Sequence, residues 1–434
     1  MHYQKPKPWT VLLLSCCTAL LVACGGSQPD SGETGNGGKP TPLTVLGTLT
    51  GSGETELAAV FAPFTEATGI PVVYEATDAF DTVLPVRVEA GDPPDIALFS
   101  TLSLLRDLAE RQQLVPLDQD PDPVLESSAL DAAFVSDLRD LGRVDDRLYG
   151  FSVRTYLKGL VWYRPDRFAA QNYTVPETWE ALDQLSAAMA ATGSAPWCIG
   201  LESGDATGWV GTDWIEALIL RIGGPEYYDQ WSRHGIPFTD PVVRQAFETF
   251  GQLVQTQALG GAIGTISTSF MDAPALLFGD TPACDLHYQA NFIPAFFPDT
   301  VNPDESVAIF PLPAIEAEYD RPLVVADLLV GLMRDSSAGR ALMQYLLTPE
   351  SQEIWAAFGG HLSPHQGVSP TAYPDDLSRH QIELLQSTPT LRYDGSALMP
   401  RAVDRAFSSG VVDYLSGVDL DRVLESIEAS WSDL

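Results

Sequence analysis

Basic side chains are scarce in this chain of 434 residues. Lys and Arg together number 24 against 58 Asp and Glu, which gives a formal net charge of −34. A surface with this bias repels phosphate backbones, so we expect no nucleic-acid partner. The acidity favours solubility, and a salty medium would screen the self-repulsion that it causes.

Long apolar runs are also few. The run at 11–23 follows Lys5 and Lys7 and is too short to span a bilayer as a helix, but it suits the apolar part of a signal peptide. We therefore predict a signal peptide at 1–23. The small residues before Cys24 are typical of a bacterial lipoprotein box, which predicts lipidation of Cys24 and a membrane-anchored, extracytoplasmic protein. An incidental cysteine after a plain signal peptide is the alternative. Residues 24–42 are rich in Gly, Ser and Pro and are predicted to be a flexible tether.

Only five cysteines occur in the sequence. Cys16 and Cys17 leave with the signal peptide and Cys24 would be acylated, so the mature domain keeps Cys198 and Cys284. In an oxidising compartment these two form either one disulfide or two separate buried thiols. Neither a metal site nor a CxxC redox motif can be built from them.

Catalytic signatures are missing as well. The chain has no HExxH, GxSxG or GxxxxGK[ST] motif, and its six histidines show no zinc-ligand spacing, so we expect neither a metal nor a cofactor. A glycosidase needs only two carboxylates, and Glu202, Asp205 and Asp213 are candidates for that role. A secreted glycoside hydrolase therefore stays open as an alternative. Asp213 also follows Thr212 at a predicted helix start, where a carboxylate suits the helix dipole.

Strand and helix patterns alternate where the folded body begins. Apolar strands are predicted at 43–48, 71–76 and 95–99, and amphipathic helices at 52–69, 80–90 and 102–114. This alternation predicts a parallel sheet covered on both faces, with ligand-binding loops at one edge. A mainly helical middle section follows before strand patterns return at 306–315 and 322–334. We therefore expect two discontinuous lobes.

Aromatic side chains are concentrated at 197–214, which holds three of the nine tryptophans. Sugar binding uses aromatic faces together with a few placed polar groups. The candidate faces are Trp209 and Trp214, with Tyr156 and Phe80 in other loops. Trp209 is the strongest because its surroundings predict a glycine-rich loop. Trp179 and Trp355 are expected to lie in the core. For Trp197 and Trp214 a position in the core is an alternative.

Several motifs, in order and spacing, resemble one family. The lipoprotein box is followed by FTEATGIPVVYE, AGDPPDIALF, LKGLVWYRPDRF, PETWEAL and TPESQEIWAAFGGHLSPH. Together they resemble the bacterial extracellular solute-binding proteins of carbohydrate ABC transporters, the group that includes the maltose-binding protein. Three further segments resemble an α-glucoside-binding subgroup, which includes binders of osmolytes such as glucosylglycerol: APWCIGLESGDATGWVGTDWIEALILR, DTPACDLHYQANFI and LRYDGSALMP.

The resemblance implies an α/β, two-lobed periplasmic-binding-protein fold of type II, each lobe a sheet flanked by helices and joined to the other by a hinge. The N-terminal lobe would comprise 43–153 and 312–361, and the C-terminal lobe 154–311 and 362–434. Cys198 and Cys284 lie in the subgroup segments, as a disulfide between them requires.

The resemblance also implies a function and a site. A monomer would capture a mono- or disaccharide-sized sugar or glycosylated osmolyte, of the glucosylglycerol, trehalose, sucrose or maltose class, between its lobes and deliver it to the permease without chemistry. A binder of a non-sugar solute, such as a peptide or polyamine, is an alternative. The acidic composition adds the hypothesis that the ligand is a compatible solute of a salt-tolerant cell. The ligand-binding residues implied are Ser52, Glu54, Asp78, Ser100, Arg154, Tyr156, Trp209, Asp213, His287, Gly360, His361 and Asp394.

Overall fold

A computed structural model describes residues 41–134, 136–319 and 321–433. The predicted signal peptide, Cys24 and the predicted tether up to residue 40 lie outside the described residues. The described strands are β1 (Leu43–Gly47), β2 (Val72–Ala76), β3 (Ile96–Phe99), β4 (Arg143–Val144), β5 (Arg147–Leu148), β6 (Gly150–Leu157), β7 (Leu160–Tyr163), β8 (Ala195–Cys198), β9 (Cys284–Gln289), β10 (Ala308–Pro311), β11 (Leu323–Leu332) and β12 (Leu391–Tyr393).

The described α-helices connect and cover these strands. They are α1 (Ser52–Thr68), α2 (Phe80–Glu89), α3 (Leu102–Glu110), α4 (Ser127–Ala133), α5 (Ser136–Arg139), α6 (Pro165–Gln171), α7 (Trp179–Ala191), α8 (Trp209–Ile222), α9 (Pro225–Trp231), α10 (Pro241–Gln257), α11 (Gly261–Ser267), α12 (Pro303–Ser306), α13 (Ser337–Leu346), α14 (Pro349–Ala356), α15 (Asp376–Ser387), α16 (Gly395–Leu398), α17 (Arg401–Leu415) and α18 (Leu420–Ala429). None of them is both long and apolar enough to cross a bilayer among the residues that the structure describes.

The first sheet has six strands in the order β12-β11-β3-β1-β2, with β6 also paired to β11. Strand β1 is parallel to β2 and β3, which confirms the parallel arrangement predicted for the first three strands. The sheet as a whole is mixed, however, because β11 runs antiparallel to both β3 and β6. The ten residues of β11 make it the strand that joins the early and late parts of the chain.

The second sheet has four strands in the order β10-β7-β9-β8. Strand β7 is antiparallel to β9 and β10, and β8 is parallel to β9. The chain passes from the first sheet to the second at 158–159, returns at 312–322, and leaves the first sheet again after β12. Strand β12 belongs to the first sheet although it falls within 362–434, and the exact boundaries of the two lobes stay a prediction.

Helix α1 shows how the sequence positions the loops of the first sheet. Leu57, Val60, Phe61 and Phe64 recur at helical spacing and are buried against the sheet. The helix ends at Gly69, which adopts φ 73° and donates its N–H to the Thr65 carbonyl, as a glycine C-cap does. The chain can therefore turn directly into β2.

The second sheet packs on a core rich in aromatic side chains. Trp197 and Trp214 are fully buried, and their ring centroids lie 5.3 Å apart. Their assignment to the core is thereby confirmed. Phe80 is also buried, edge-on to Phe99 at 5.7 Å, so its proposed role as an exposed sugar-stacking face is wrong.

Candidate functional site

A buried lysine lies where the chain passes from the first sheet to the second. Lys158 directly follows β6, and its backbone N–H donates to the Val324 carbonyl of β11 (2.9 Å). Its Nζ donates to Asp213 Oδ1 on α8 (2.7 Å) and to Asp394 Oδ2, one residue after β12. Since α8 packs in the core of the second sheet and Asp394 follows a strand of the first, one ammonium group connects the two sheets.

A third carboxyl group lies beside this pair of contacts. Glu216, one helical turn after Asp213, is fully buried and accepts the backbone N–H groups of Gly395 (2.7 Å) and Ser396 (3.0 Å). It also accepts the hydroxyl of Tyr228 at 3.0 Å. We call the group formed by these ionisable side chains the charged cluster, which consists of Lys158, Asp213, Glu216 and Asp394.

Burial and charge act together on the pKa values of the charged cluster. Burial raises the pKa of Asp213 to about 7, although Lys158 acts in the opposite direction. Burial, with repulsion from Asp394, raises the pKa of Glu216 well above its usual range. At Asp394 burial also acts to raise the pKa, but Lys158 outweighs it and lowers that pKa. Burial would lower the pKa of Lys158, yet the surrounding carboxylates raise it well above normal. At neutral pH the cluster therefore holds an ammonium on Lys158 and an ionised Asp394, and Glu216 binds a proton more tightly than a free glutamate does.

Aromatic side chains form a continuous row next to Lys158. Ring centroids are 6.0 Å apart for Tyr156 and Phe292, 6.2 Å for Phe292 and Trp209, and 5.2 Å for Trp209 and Phe270. Lys158 Nζ lies 5.8 Å from the centre of the Trp209 ring. We call these rings the aromatic row, which consists of Tyr156, Phe292, Trp209 and Phe270.

Trp209 and Asp213 occupy different helical positions from those expected. Trp209 is the first residue of α8 and not part of a loop, since Gly208 with φ 112° precedes the helix. Asp213 consequently lies in the second turn of α8 and is buried, so its placement at a helix start is wrong. Trp209 is only partly buried, unlike Trp214 on the same helix, and this leaves part of its surface open to a ligand.

An arginine extends the aromatic row towards the first sheet. Arg154 Cζ lies 5.2 Å from the centre of the Tyr156 ring and 5.7 Å from that of Trp355. Glu56 of α1 binds both neighbours: its Oε2 accepts Trp355 Nε1 at 2.9 Å and lies 3.5 Å from Arg154 Nη1. Arg154 Nε is buried and has no hydrogen-bond partner among the described residues.

His361 supplies a second unused polar atom in the same region. Its ring lies 5.3 Å from Trp355, and its Nδ1 is 3.0 Å from the Gly359 carbonyl. Burial, with repulsion from Arg154, lowers the pKa of His361 well below its usual range, so the imidazole is neutral. Because Nδ1 faces a carbonyl it carries the proton, which leaves Nε2 as an acceptor. Nε2 is buried and without a partner in the described part of the chain. His361 Nε2 is thus able to accept a hydrogen bond, and Arg154 Nε is able to donate one.

Four predicted residues of the first sheet lie on exposed loops or helix starts. Ser52, Glu54, Asp78 and Ser100 follow strands β1, β2 and β3 at the same edge, as predicted. Glu54 Oε1 accepts the Gly51 N–H (3.2 Å) and so helps to cap α1. No hydrogen bond, ion pair or ring contact within 41–134, 136–319 and 321–433 joins these four to the aromatic row. Their role in ligand binding stays a prediction.

His287 and Gly360 were expected to face the ligand. His287 lies within β9, opposite Trp162, and its Nδ1 is 2.8 Å from the Cys198 carbonyl. Burial lowers the pKa of His287 to about 4, so this imidazole is neutral as well. Gly360 is exposed in the turn before His361 with φ 73°. The contacts of His287 are with the second sheet, and its role as a ligand residue stays a prediction.

The predicted disulfide is confirmed. Cys198 at the end of β8 and Cys284 at the start of β9 are bonded, with their Cα atoms 5.6 Å apart. No group of three or more His, Cys, Asp or Glu side chains that could hold a metal ion occurs within 41–134, 136–319 and 321–433.

Lys158 and Glu216 were not among the residues predicted from the sequence. Lys158 interrupts the apolar stretch TYLKGLVWY, and Glu216 interrupts WIEALILRI. A charged residue in an otherwise apolar, buried element is costly unless it has a partner, so the two interruptions were a usable signal. Phe270, Phe292 and Glu56 had no such signal, because aromatic residues near loops and acids on helices are common in this chain.

The family follows from comparison with known proteins. The family model described as "Bacterial extracellular solute-binding protein" matches residues 47–353, more than half of the chain, which therefore belongs to this family. The osmoprotective compounds-binding protein GgtB of Synechocystis is 43% identical over 425 residues, covering 97% of this chain and 98% of the relative. The alpha-glucosides-binding periplasmic protein AglE of Rhizobium meliloti is 37% identical over 404 residues, covering 91% and 88%.

Solved structures agree with the fold. The bacterial solute receptor AcbH superimposes with a TM-score of 0.77 at 20% identity, covering 92% of this chain and 100% of that one. A chitin oligosaccharide binding protein gives a TM-score of 0.76 at 20% identity, covering 91% and 99%. The two-lobed periplasmic-binding-protein fold of type II, with sheets flanked by helices, is thereby confirmed.

Proposed function

We propose that this protein is the substrate-binding component of an ABC importer and that it captures an α-glucoside-type sugar or glycosylated osmolyte. The observation that carries the proposal is the aromatic row, which lies between the charged cluster and the unused polar atoms of Arg154 and His361. Aromatic faces pack on sugar C–H groups, and buried donors and acceptors bind hydroxyls. The names of the two relatives support the same ligand class.

The proposed mechanism uses the two sheets as two lobes. Arg154 and Tyr156 belong to β6 of the first sheet, whereas Trp209 and Asp213 belong to α8 on the second. A ligand that contacts both sets stabilises the closed arrangement by its higher affinity for that state. The closed complex then delivers the ligand to the permease.

We propose that the protein binds the sugar without hydrolysing it. Of the carboxylates considered for a hydrolase, Glu202 Oε1 accepts the Gly204 N–H (2.9 Å), Asp205 is exposed, and Asp213 is paired with Lys158. Incubation with maltose, trehalose, sucrose and aryl α-glucosides should release no glucose. Release that is lost in an Asp213→Asn variant would support the hydrolase alternative.

We further propose that the mature chain is anchored to the membrane through a lipid on Cys24. The lipoprotein box before Cys24 supports this placement, and the family description supports an extracytoplasmic location. Labelling cells with a radioactive fatty acid should mark the wild-type protein but not a Cys24→Ala variant. Equal labelling of both would contradict the anchor.

The ligand class is tested by a thermal-shift screen of the purified protein. Glucosylglycerol, trehalose, sucrose, maltose and glucose are compared with a polyamine, and the ligand should raise the melting temperature by mass action. A shift with the polyamine and with none of the sugars would contradict the proposal.

The aromatic row is tested with two matched variants. Trp209 and Trp179 are both partly buried first residues of helices packed on the same core, but only Trp209 belongs to the row. Trp209→Ala should weaken sugar binding by about 100-fold, since stacking and its buried area are lost, whereas Trp179→Ala should leave the affinity unchanged. Isothermal titration measures both. An unchanged affinity in Trp209→Ala would remove the row from the site.

A further inference from the structure

A cavity of about 280 Å³ lies between helix α3, the end of helix α9 and strand β12. Three arginines line it, namely Arg106 of α3, Arg233 after α9 and Arg392 of β12. Since Lys and Arg number only 24 in the whole chain against 58 Asp and Glu, three guanidinium groups at one cavity reverse the acidic character locally. An anion that enters this cavity therefore meets positive charge on a protein that otherwise repels it.

Two carboxylates also line the cavity, and both are paired with other arginines. Asp229 Oδ1 lies 2.7 Å from Arg392 Nε. Asp140 Oδ1 accepts Arg143 Nε at 3.0 Å, and Asp140 Oδ2 lies 3.9 Å from Arg139 Nη1. These contacts use the negative charge of both carboxylates, so neither of them neutralises the two remaining arginines of the cavity.

Arg106 and Arg233 make no ion pair within the part of the chain that the structure describes. Arg106 is half-buried, and its Nη1 donates to the Leu398 carbonyl at 3.2 Å, which is a neutral acceptor. Burial lowers the pKa of Arg106, and repulsion from Arg233 acts in the same direction. Tyr393 and Glu110 act in the opposite direction. Because a guanidinium group keeps its proton in proteins, both arginines are charged and repel each other.

An oxyanion fits this pair of cations. The planar guanidinium fork binds two oxygens of a carboxylate or phosphate group at once, and such charge-assisted hydrogen bonds are stronger than neutral ones. A negative charge between Arg106 and Arg233 also removes their mutual repulsion. A neutral hydroxyl group would leave that repulsion in place.

The size of the cavity limits the occupant to a small ion. Pockets for whole small-molecule ligands measure about 300–1,000 Å³, and the cavity is just below that range. It has room for about nine waters at ~30 Å³ each. An ion of the size of phosphate or acetate can therefore enter and keep part of its hydration.

The cavity lies between elements of both sheets and apart from the proposed sugar site. Strand β12 belongs to the first sheet and α3 follows β3 of the same sheet, whereas α9 packs with Tyr228 and Trp231 in the core of the second. The described residues that line the cavity include no member of the aromatic row. An ion held by Arg106 and Arg233 thus connects the two sheets at a place that a sugar on the aromatic row does not occupy.

We propose that this cavity is a binding site for a small oxyanion, with a phosphate or carboxylate group held by Arg106 and Arg233. The site goes beyond the proposed function and does not depend on sugar binding. Its ligand supplies the negative charge that these two arginines lack among the described residues.

The experiment titrates the purified protein with sodium phosphate and, separately, with sodium acetate, at a constant ionic strength set with sodium chloride. Isothermal titration should show saturable binding of one ion per chain for at least one of them. Arg233→Gln should weaken this binding by about tenfold or more, because a hydrogen bond to a charged group is lost. Arg422→Gln is the matched control, since Arg422 is also exposed but does not line the cavity, and it should leave the affinity unchanged.

Two variants of Arg106 test the second cation. Arg106→Gln should weaken binding by about tenfold or more, and Arg106→Lys should weaken it less, because the charge remains while the planar fork is lost. The ratio of the two affinities of the wild type shows whether the site prefers phosphate or carboxylate. Absence of saturable binding of both ions to the wild type would overturn the site, and so would equal weakening in Arg233→Gln and Arg422→Gln. Neither result would affect the proposed sugar binding, which the thermal-shift screen tests.

Discussion

Lys158 faces more buried carboxyl groups than one ammonium can neutralise. We expect Lys158→Met to lower the free energy of unfolding by about 3–5 kcal/mol near pH 8, because ionised carboxylates lose their cation in a buried site. Without Lys158 the pKa values of Asp213 and Asp394 rise, since the cation lowers both. A carboxyl whose folded pKa is raised contributes stability that is fully present below its unfolded pKa and is lost as the pH rises. The loss should therefore be smaller near pH 5.

Urea denaturation of wild type and variant at a series of pH values measures this difference. In the wild type the stability that Asp213 contributes is lost between its ordinary pKa of 3.8 and about 7, and in the variant this loss extends to higher pH, so the two proteins diverge above about pH 7. Lys158→Met combined with Asp213→Asn should recover part of the stability at pH 8, because one buried charge is removed with the cation. A difference between wild type and Lys158→Met that is independent of pH would contradict the electrostatic account.

The partners of individual buried charges could not be predicted from the sequence. The fold brings the segments of Arg154, Tyr156, Trp209, His361 and Asp394 near one another, and their role in ligand binding stays a prediction. Hydropathy patterns carry no information about which distant residue will satisfy a buried charge. The pairing of Lys158 with Asp394, 236 positions away, depends on three passages of the chain between the sheets.

At the scale of elements, the N-terminus of α8 lies against α17 with no room for a side chain. Gly208 has φ 112°, and a Cβ added there would lie 2.2 Å from the Ser408 carbonyl oxygen. Gly208→Ala should cost about 3 kcal/mol, from backbone strain and from the forced separation of two helices. Thermal and urea unfolding of the purified variant measure the loss.

Gly193 provides the matched control for this substitution. It also has a positive φ, 87°, but a Cβ there meets nothing within 4 Å. Gly193→Ala should therefore cost only the backbone strain, about 1 kcal/mol. Similar losses in both variants would show that the contact between α8 and α17 contributes little.

Helices and strands were predicted well where the hydrophobic pattern of neighbouring residues alone indicates them. Helices α1, α2 and α3 and strands β1, β2, β3 and β11 fall on the stretches whose periodicity indicated them. Strands β8, β9 and β12 were not identified, because β8 contains a proline, β12 has only three residues, and β9 and β12 carry polar residues such as His287 and Arg392. Their strand conformation is stabilised by partners distant in sequence, which a local pattern does not contain.

For the whole molecule, the disulfide joins two strands of the second sheet that are 86 residues apart. The double variant Cys198→Ser, Cys284→Ser should have a free energy of unfolding lower by about 4 kcal/mol. Without the disulfide the unfolded chain regains the conformational entropy that the cross-link removes. Denaturation with and without a reducing agent tests this, because the reductant should affect the wild type and not the double variant. A double variant as stable as the oxidised wild type would contradict it.

The place of β11 in the first sheet has a consequence for the order of synthesis. Strand β11 pairs with β3, β6 and β12, so the earlier strands β3 and β6 lack this partner until it is made. The ribosome must therefore complete residue 332, after all strands of the second sheet, before β3 and β6 can pair with β11, and residue 393 before β12 can join the sheet. Since the first sheet cannot be completed during most of synthesis, its early strands remain without their partners, and a chain in that state suits transport through a membrane pore before it folds.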